Sequence, residues 1–432
     1  MKKICLTVVG MYLVILNAFS QQAPKDTTAY KSRKLRTEEV SIVSSYYTQK
    51  ADKSAVMGGR TDPKGNGDVT DFSNSIELKL AFLDSAHRKN NITFGMGYDH
   101  HTAASQGYID SNGHARNNGT RLYPTLDWSR ENKIKGSEVG LGLYFSHESQ
   151  YYNSLGFNGS VSQKTRNNGE FSVKVSAFLD KIHMINPAEF NPPLTVTTVA
   201  PTDSVVYITT ASGHRRALVF HNGGSTTISG SMPDVVKSRN TISASFSFAQ
   251  VINERLQASI AMDLVYMKGY LGLPFHRVYL NTGKDTIETL PSSRFKLPIG
   301  LRMNYFVGDK LILRAFYRYY LDSWGLRSHT ASLETAIKLT PFFSLSPYYR
   351  FYRQTAAKYF APYATHTLND EYYTSNYALA AFTSHAWGMG LRLAPPKGVL
   401  MQSLAALELR YGHYSQTTNL VSNVISIDLK FK

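Results

Sequence analysis

Residues 294–306 read Arg294-Phe295-Lys296-Leu297-Pro298-Ile299-Gly300-Leu301-Arg302-Met303-Asn304-Tyr305-Phe306. Every odd position is large and apolar, whereas the even positions carry Arg294, Lys296, Gly300, Arg302 and Asn304. A period of two places successive side chains on opposite faces of an extended chain, so this run is a strand with one greasy face and one wet face. It exceeds the roughly 5 or 6 residues of an average soluble strand and suits a tilted strand crossing a bilayer, which needs about 9 to 11.

The same pattern recurs along the chain. Phe72, Ile76, Leu78, Leu80 and Phe82 oppose Ser73, Ser75, Glu77 and Lys79; Ala331, Leu333, Ile337 and Leu339 oppose Ser332, Glu334 and Lys338; Ile425, Ile427, Leu429 and Phe431 oppose Ser426, Asp428 and Lys430. About sixteen such segments are expected, near 40–48, 71–83, 91–102, 120–130, 138–148, 155–164, 171–180, 240–252, 256–268, 294–306, 311–322, 328–339, 344–354, 382–393, 402–414 and 422–432. Alternate connections are short, as at 84–90, 131–137, 165–169, 253–255, 307–310 and 340–343, while 49–70, 181–239, 269–293 and 355–381 are long. Short turns at one end and long loops at the other describe an all-β fold: a transmembrane antiparallel up-and-down β-barrel of about 16 strands, with short periplasmic turns and long extracellular loops. Closure leaves no strand edge unpaired, as backbone in lipid requires. A propeller would show a repeat of roughly 40 to 50 residues, and none is present.

Composition narrows the alternatives. The chain has 432 residues, 42% apolar and 12% aromatic, so it is not a disordered sequence. No apolar run long enough for a membrane helix follows the N-terminus. Lys2 and Lys3 precede an apolar run over 4–16, and Ala18-Phe19-Ser20 supplies small residues at cleavage spacing. Residues 1–20 therefore read as a secretory signal peptide, too short in its apolar part to be an anchor. The one cysteine, Cys5, leaves with it. Residues 21–37 read as a basic periplasmic tail (Lys25, Lys31, Arg33, Lys34, Arg36), and 38–432 as a single barrel. The net charge is +16. In an exported chain it points to anionic lipid, lipopolysaccharide or an anionic solute rather than nucleic acid. The terminal Phe431 suits recognition by barrel-assembly machinery.

Some stretches resemble a known family. They are Tyr30-Lys31-Ser32-Arg33-Lys34-Leu35, Asp99-His100 with Thr102 and Ala104-Ser105, Arg121 with Tyr123-Pro124, Pro274-Phe275-His276-Arg277-Val278-Tyr279, Leu290-Pro291 with Arg294, Lys296-Leu297-Pro298, and Tyr359-Phe360-Ala361-Pro362-Tyr363. In these the chain resembles an uncharacterised family of exported barrel proteins of Gram-negative bacteria. The resemblance implies an outer-membrane barrel and supplies neither substrate nor catalytic residues. The insert at 194–232 departs from the family pattern.

The wet face is where function is expected. From 294 onward it carries Arg294, Lys296, Arg302, Arg314, Arg318, Lys338, Arg350, Arg392, Arg410 and Lys430 against Asp322, Glu334, Glu408 and Asp428. Before 270 the balance reverses, with Glu77, Asp99, Asp127, Glu138, Glu148, Glu170, Asp180 and Asp263 against Lys79, Arg121, Lys164 and Lys174. Closure would set the two groups on opposite walls and create a field across the lumen. Two outcomes follow: an open channel for small polar or anionic solutes, or charges that pair and plug the interior. The pore-lining candidates are Arg294, Lys296, Arg302, Arg314, Arg318, Arg350, Arg392, Arg410, Glu77, Asp127 and Asp263.

Asp99, His100, His276 and Arg277 are loop-end candidates. Asp99 and His101 share a face and His100 takes the other, so a metal site would need a further ligand such as His114, His147 or His366; structural hydrogen bonding is the expected role, with no metal or cofactor. The 274–279 motif reads as a packed loop cap, with a pore constriction using His276 and Arg277 as the alternative. Residues 359–363 read as an aromatic loop packed on the rim. Trp128, Trp324 and Trp387 are expected in aromatic girdles. Gly95-Met96-Gly97, Gly140-Leu141-Gly142 and Gly388-Met389-Gly390 lie inside strands and lack a third glycine, so they read as small inward residues rather than a nucleotide motif. No nucleophile elbow or Walker A loop is present, and no enzyme is expected. The alternatives to a channel are a non-transporting scaffold whose loops, above all 181–239, bind a partner, a surface glycan or a redox component, and a barrel lipid hydrolase.

Overall fold

The computed structural model describes residues 35–52, 68–84, 88–102, 119–148, 152–184, 204–209, 215–220, 235–273, 276–283 and 285–432. The expected signal peptide, all but the end of the tail, and His114 lie outside the described residues.

Alternation produces the strands. They are β1 (Arg36–Ala51), β2 (Val69–Leu83), β3 (Lys89–His101), β4 (Gly119–Asn132), β5 (Ser137–Glu148), β6 (Tyr152–Lys164), β7 (Gly169–Met184), β8 (Ser204–Thr209), β9 (Arg215–Phe220), β10 (Val235–Asn253), β11 (Leu256–Gly269), β12 (Arg277–Tyr279), β13 (Asp285–Ile287), β14 (Ser293–Val307), β15 (Leu311–Asp322), β16 (Arg327–Lys338), β17 (Phe343–Gln354), β18 (Phe382–Leu393), β19 (Leu404–Gln416) and β20 (Leu420–Phe431). The pairs β8–β9 and β12–β13 are small separate hairpins; the other sixteen strands form a closed antiparallel barrel in chain order. Closure is made by β1 on β20, from Val40 opposite Phe431 to Ala51 opposite Leu420. The expected tail overlaps β1 at Arg36 and Thr37, because the ladder to β2 already begins at Arg36 opposite Ala81. The strand expected from 240 starts at Val235, since β7 runs on to Met184 and pairs with it there.

Tight turns close one rim. Gly136 and Gly308 (φ 62° and 61°) and Asn168 (φ 57°) take the left-handed backbone these turns need, which Gly and Asn tolerate best. The opposite rim carries the long connections.

The greasy face is outward. Phe94, Leu143, Val175, Ile260, Leu301, Leu333 and Ile427 are all exposed, and Leu141 is 61% exposed. A continuous apolar belt of this kind far exceeds what a water-facing surface tolerates and matches a hydrocarbon surround. Pairs of ring and polar groups edge it toward the loop rim: Tyr317 with His329 (2.7 Å), Tyr349 with His385 (2.6 Å), and Trp387 beside His413 (ring centroids 5.1 Å apart). Near the turn rim, Arg130 lies over the Trp128 ring at 4.9 Å.

Trp324 does not join these girdles. It is buried with Leu326, Ala357 and Leu379, against Leu271, Leu290, Tyr320, Tyr359 and Phe360. The physical reason is parity: outward positions on β15 are odd (Tyr317, Tyr319), so an even residue just past the strand continues the inward face.

Candidate functional site

The register places the inward residues. On β14 to β20, Arg294, Lys296, Arg302, Arg314, Arg318, Arg350, Arg392 and Arg410 all fall on the face opposite the apolar belt, as do Glu77, Asp99, Asp127 and Asp263 on the earlier strands. Strand order makes these two groups neighbouring halves of one cylinder. Barrels of 16 to 18 strands have room for an aqueous channel. Arg302, Arg350 and Arg392 are accordingly exposed although they face the interior.

Within each half, many charges pair. Arg314 reaches Glu334 (2.5 Å), Arg410 lies 3.7 Å from the same carboxylate and also pairs with Glu408. Arg121 pairs with Asp99 (3.0 Å), which also accepts the Tyr123 hydroxyl (2.8 Å). Asp127 accepts the Tyr144 hydroxyl (2.8 Å). Arg239 pairs with Asp180 (2.9 Å). Arg239 is not among the residues expected from the sequence, because the alternation there reads as a strand only from residue 240. By contrast, among the described residues Lys296, Arg302, Arg318, Arg350 and Arg392 have no carboxylate within ion-pair distance, and Glu77 and Asp263 have no cation within it. Arg318 Nε and Thr330 Oγ1 are both buried without a hydrogen-bond partner, on residues directly opposite each other across β15 and β16.

Arg294 is not a lumen residue free to meet solute. It is joined to Asp322, with Nε at 2.9 Å, and its guanidinium lies 4.2 Å from the Trp324 ring centroid. Asp322, whose side chain is 0% exposed, also accepts the Tyr320 hydroxyl (2.8 Å) and the backbone N–H groups of Trp324 (2.9 Å) and Leu326 (3.1 Å). A buried carboxylate needs this many partners.

That knot anchors a cap. The connections 270–292 and 355–381 are tied by bridges Leu280–His366 and Thr289–Tyr373. Gln354, inward at the loop end of β17, donates to the carbonyls of Ala378 (3.0 Å) and Ala380 (2.5 Å). The cap thus packs inside the mouth on the basic half. At its centre, Glu288 accepts the Thr374 hydroxyl (2.5 Å) and the Leu273 N–H (2.7 Å), and burial pushes its carboxyl up to about 7. Tyr359 meets Trp324 edge-on (6.0 Å), and Phe360 meets Tyr377 (5.3 Å).

His276 is 0% exposed and inside this cap, so it cannot touch a passing solute. The backbone of Arg277 forms β12, while its side chain lies outside what is described. Asp99 and His101 do not converge on an ion: His101 faces Glu148 (3.2 Å), His100 lies outward beside Thr120 (3.4 Å), His147 is outward beside Asn153, and His366 serves the cap through Asp370 (2.9 Å). Among the described residues no group of three His, Cys, Asp or Glu is placed to hold a metal. The strand glycines make room for neighbours: a Cβ at Gly97 would fall 1.9 Å from the Tyr123 ring.

Residues 90–422 match a family described as "Protein of unknown function (DUF3570)". The chain belongs to this family. No curated protein matches the sequence. Among solved structures, this family member is similar to CdiB from Acinetobacter baumannii (TM-score 0.43, 7% identity, 92% of this chain and 66% of that one). It is also similar to the ferric enterobactin receptor PfeA (0.42, 10%, 87% and 54%) and to a BenF-like porin from Pseudomonas fluorescens Pf-5 (0.42, 7%, 93% and 99%). The chain spans less than two thirds of the length of the first two.

Proposed function

We propose that this chain is an outer-membrane barrel that conducts small polar solutes, with a preference for anions, through a charge-divided lumen. The observation that carries the reading is the surplus on one wall of arginines with no carboxylate partner among the described residues: Arg302, Arg350 and Arg392 are exposed inside a closed cylinder wrapped by an apolar belt. A row of cations on a low-dielectric wall concentrates anions and lowers their entry cost. Catalysis forms no part of this reading.

The test is uptake into liposomes carrying the purified full chain. A phosphorylated sugar should enter faster than a neutral sugar of the same size, and R302E/R350E should abolish or reverse that order. Equal entry of both sugars through the parent protein would overturn anion preference. The packed cap favours a second reading, a scaffold whose loops bind a partner or surface glycan; no entry of either sugar would select it.

A further inference from the structure

The outer surface of the barrel carries a second cationic feature, remote from the lumen. On β16 and β17, Arg327, His329 and Arg353 face outward at the loop rim, with His329 directly opposite Arg353 and Tyr319 directly opposite His329. With Thr355 and the edge of Gln354 these residues line a cavity of about 390 Å³. Arg327 and Arg353 are exposed and have no carboxylate within ion-pair distance among the described residues. The Tyr319 ring lies 5.1 Å from the His329 ring, and the Tyr317 hydroxyl is 2.7 Å from His329 Nδ1. The row below, Tyr317, Ala331 and Phe351, is apolar.

We infer that this pocket binds the phosphate of an anionic lipid headgroup in the leaflet that surrounds the loop rim. The argument is one of shape and charge together. Two guanidiniums and an imidazole sit just above an apolar belt, where headgroups meet acyl chains, and among the described residues no carboxylate lies within ion-pair distance of either guanidinium. Guanidinium is the side chain best matched to phosphate, through parallel N–H donors. The aromatic row beneath offers the acyl chain a surface. Basic clusters at this depth are a recurring form of lipid-headgroup site. At the same level β3 to β6 present His100, Thr120, His147 and Asn153, and β7 and β11 present single outward lysines, Lys181 and Lys268, whereas on β16 and β17 two guanidiniums line one cavity. The inference shares with the proposed function the placement of the barrel in a bilayer, but not conduction. A barrel that fails to conduct can still retain lipid, and the reverse.

The experiment is native mass spectrometry of the full chain in detergent, with bisphosphorylated lipid A, its dephosphorylated form and inorganic phosphate as separate probes. The parent protein should retain bisphosphorylated lipid A and neither of the others. R327Q/R353Q should lose about tenfold or more of that retention, whereas Arg130→Gln, at the opposite rim, should retain it in full. Heat-modifiable migration on gels reports folding; if the double variant is unfolded, R327Q and R353Q are tested singly and each should weaken retention. Equal retention of phosphorylated and dephosphorylated lipid overturns the proposal, as does unchanged retention in the folded variants. Equivalent binding of inorganic phosphate identifies a free-anion site and also overturns it.

Discussion

The two halves of the barrel wall handle charge in different ways. On β1 to β11 the ion pairs that form lie within the wall, as Asp99 makes with Arg121 and Asp180 with Arg239, while Glu77 and Asp263 have no cation within ion-pair distance among the described residues. On β14 to β20 there are more cations than carboxylates, and two loops fold back over the surplus. The difference teaches that the basic half needs a separate device at its mouth. Asp322 is that device: it neutralises Arg294 and at the same time holds the backbone of the Trp324 turn. The ion pairs of the acidic half are made within its own wall, whereas the basic half is stabilised partly by its cap.

The largest effect should come from breaking the anchor. Asp322→Ala leaves Arg294 buried and unpaired, which costs about 3–5 kcal/mol. Hydrogen exchange should then rise sharply over 270–292 and 355–381 while β2 to β6 stay protected. A uniform change around the barrel would contradict a cap local to one half.

Next in size is a pH effect at Glu288. Its folded carboxyl titrates at about 7 rather than the ordinary 4.5. The folded cap therefore holds its proton more tightly than the unfolded loop. Cap stability is greatest below 4.5 and falls as pH rises from there to about 7, by about 3 kcal/mol, then levels off. Glu288→Gln should remove that slope. The groups around Glu288 are the Thr374 hydroxyl, the Leu273 N–H and the Tyr270 phenol, which burial and the Glu288 charge raise above its usual range. Exchange protection of the cap compared at pH 5 and pH 8 checks it, with the acidic half as internal control.

The smallest effect should appear on the acidic wall. Tyr123→Phe removes one hydrogen bond to Asp99 while Arg121 remains, so the cost should be about 1 kcal/mol. Thermal unfolding should show a small shift without loss of the cap. A shift as large as that of Asp322→Ala would erase the contrast between the walls.

Sixteen strands were legible because each is written locally: a period of two repeats along 294–306 and its counterparts, and parity alone assigns Arg302, Arg350 and Glu77 to the inner face. The partners of those charges were not legible, since they depend on register between strands. Arg410 meets Glu334 from three strands away. The cap was legible only as a packed loop, because its contacts are non-local. Glu288 and Thr374 are 86 residues apart, and neither connection has any periodicity to read. Trp324 was misplaced by residue type, although its parity already pointed inward.

Current through single molecules in a planar bilayer under a salt gradient tests the central claim most directly. A water-filled lumen with surplus arginines predicts steady currents whose reversal potential lies on the anion side. Silent bilayers containing correctly folded protein would contradict it.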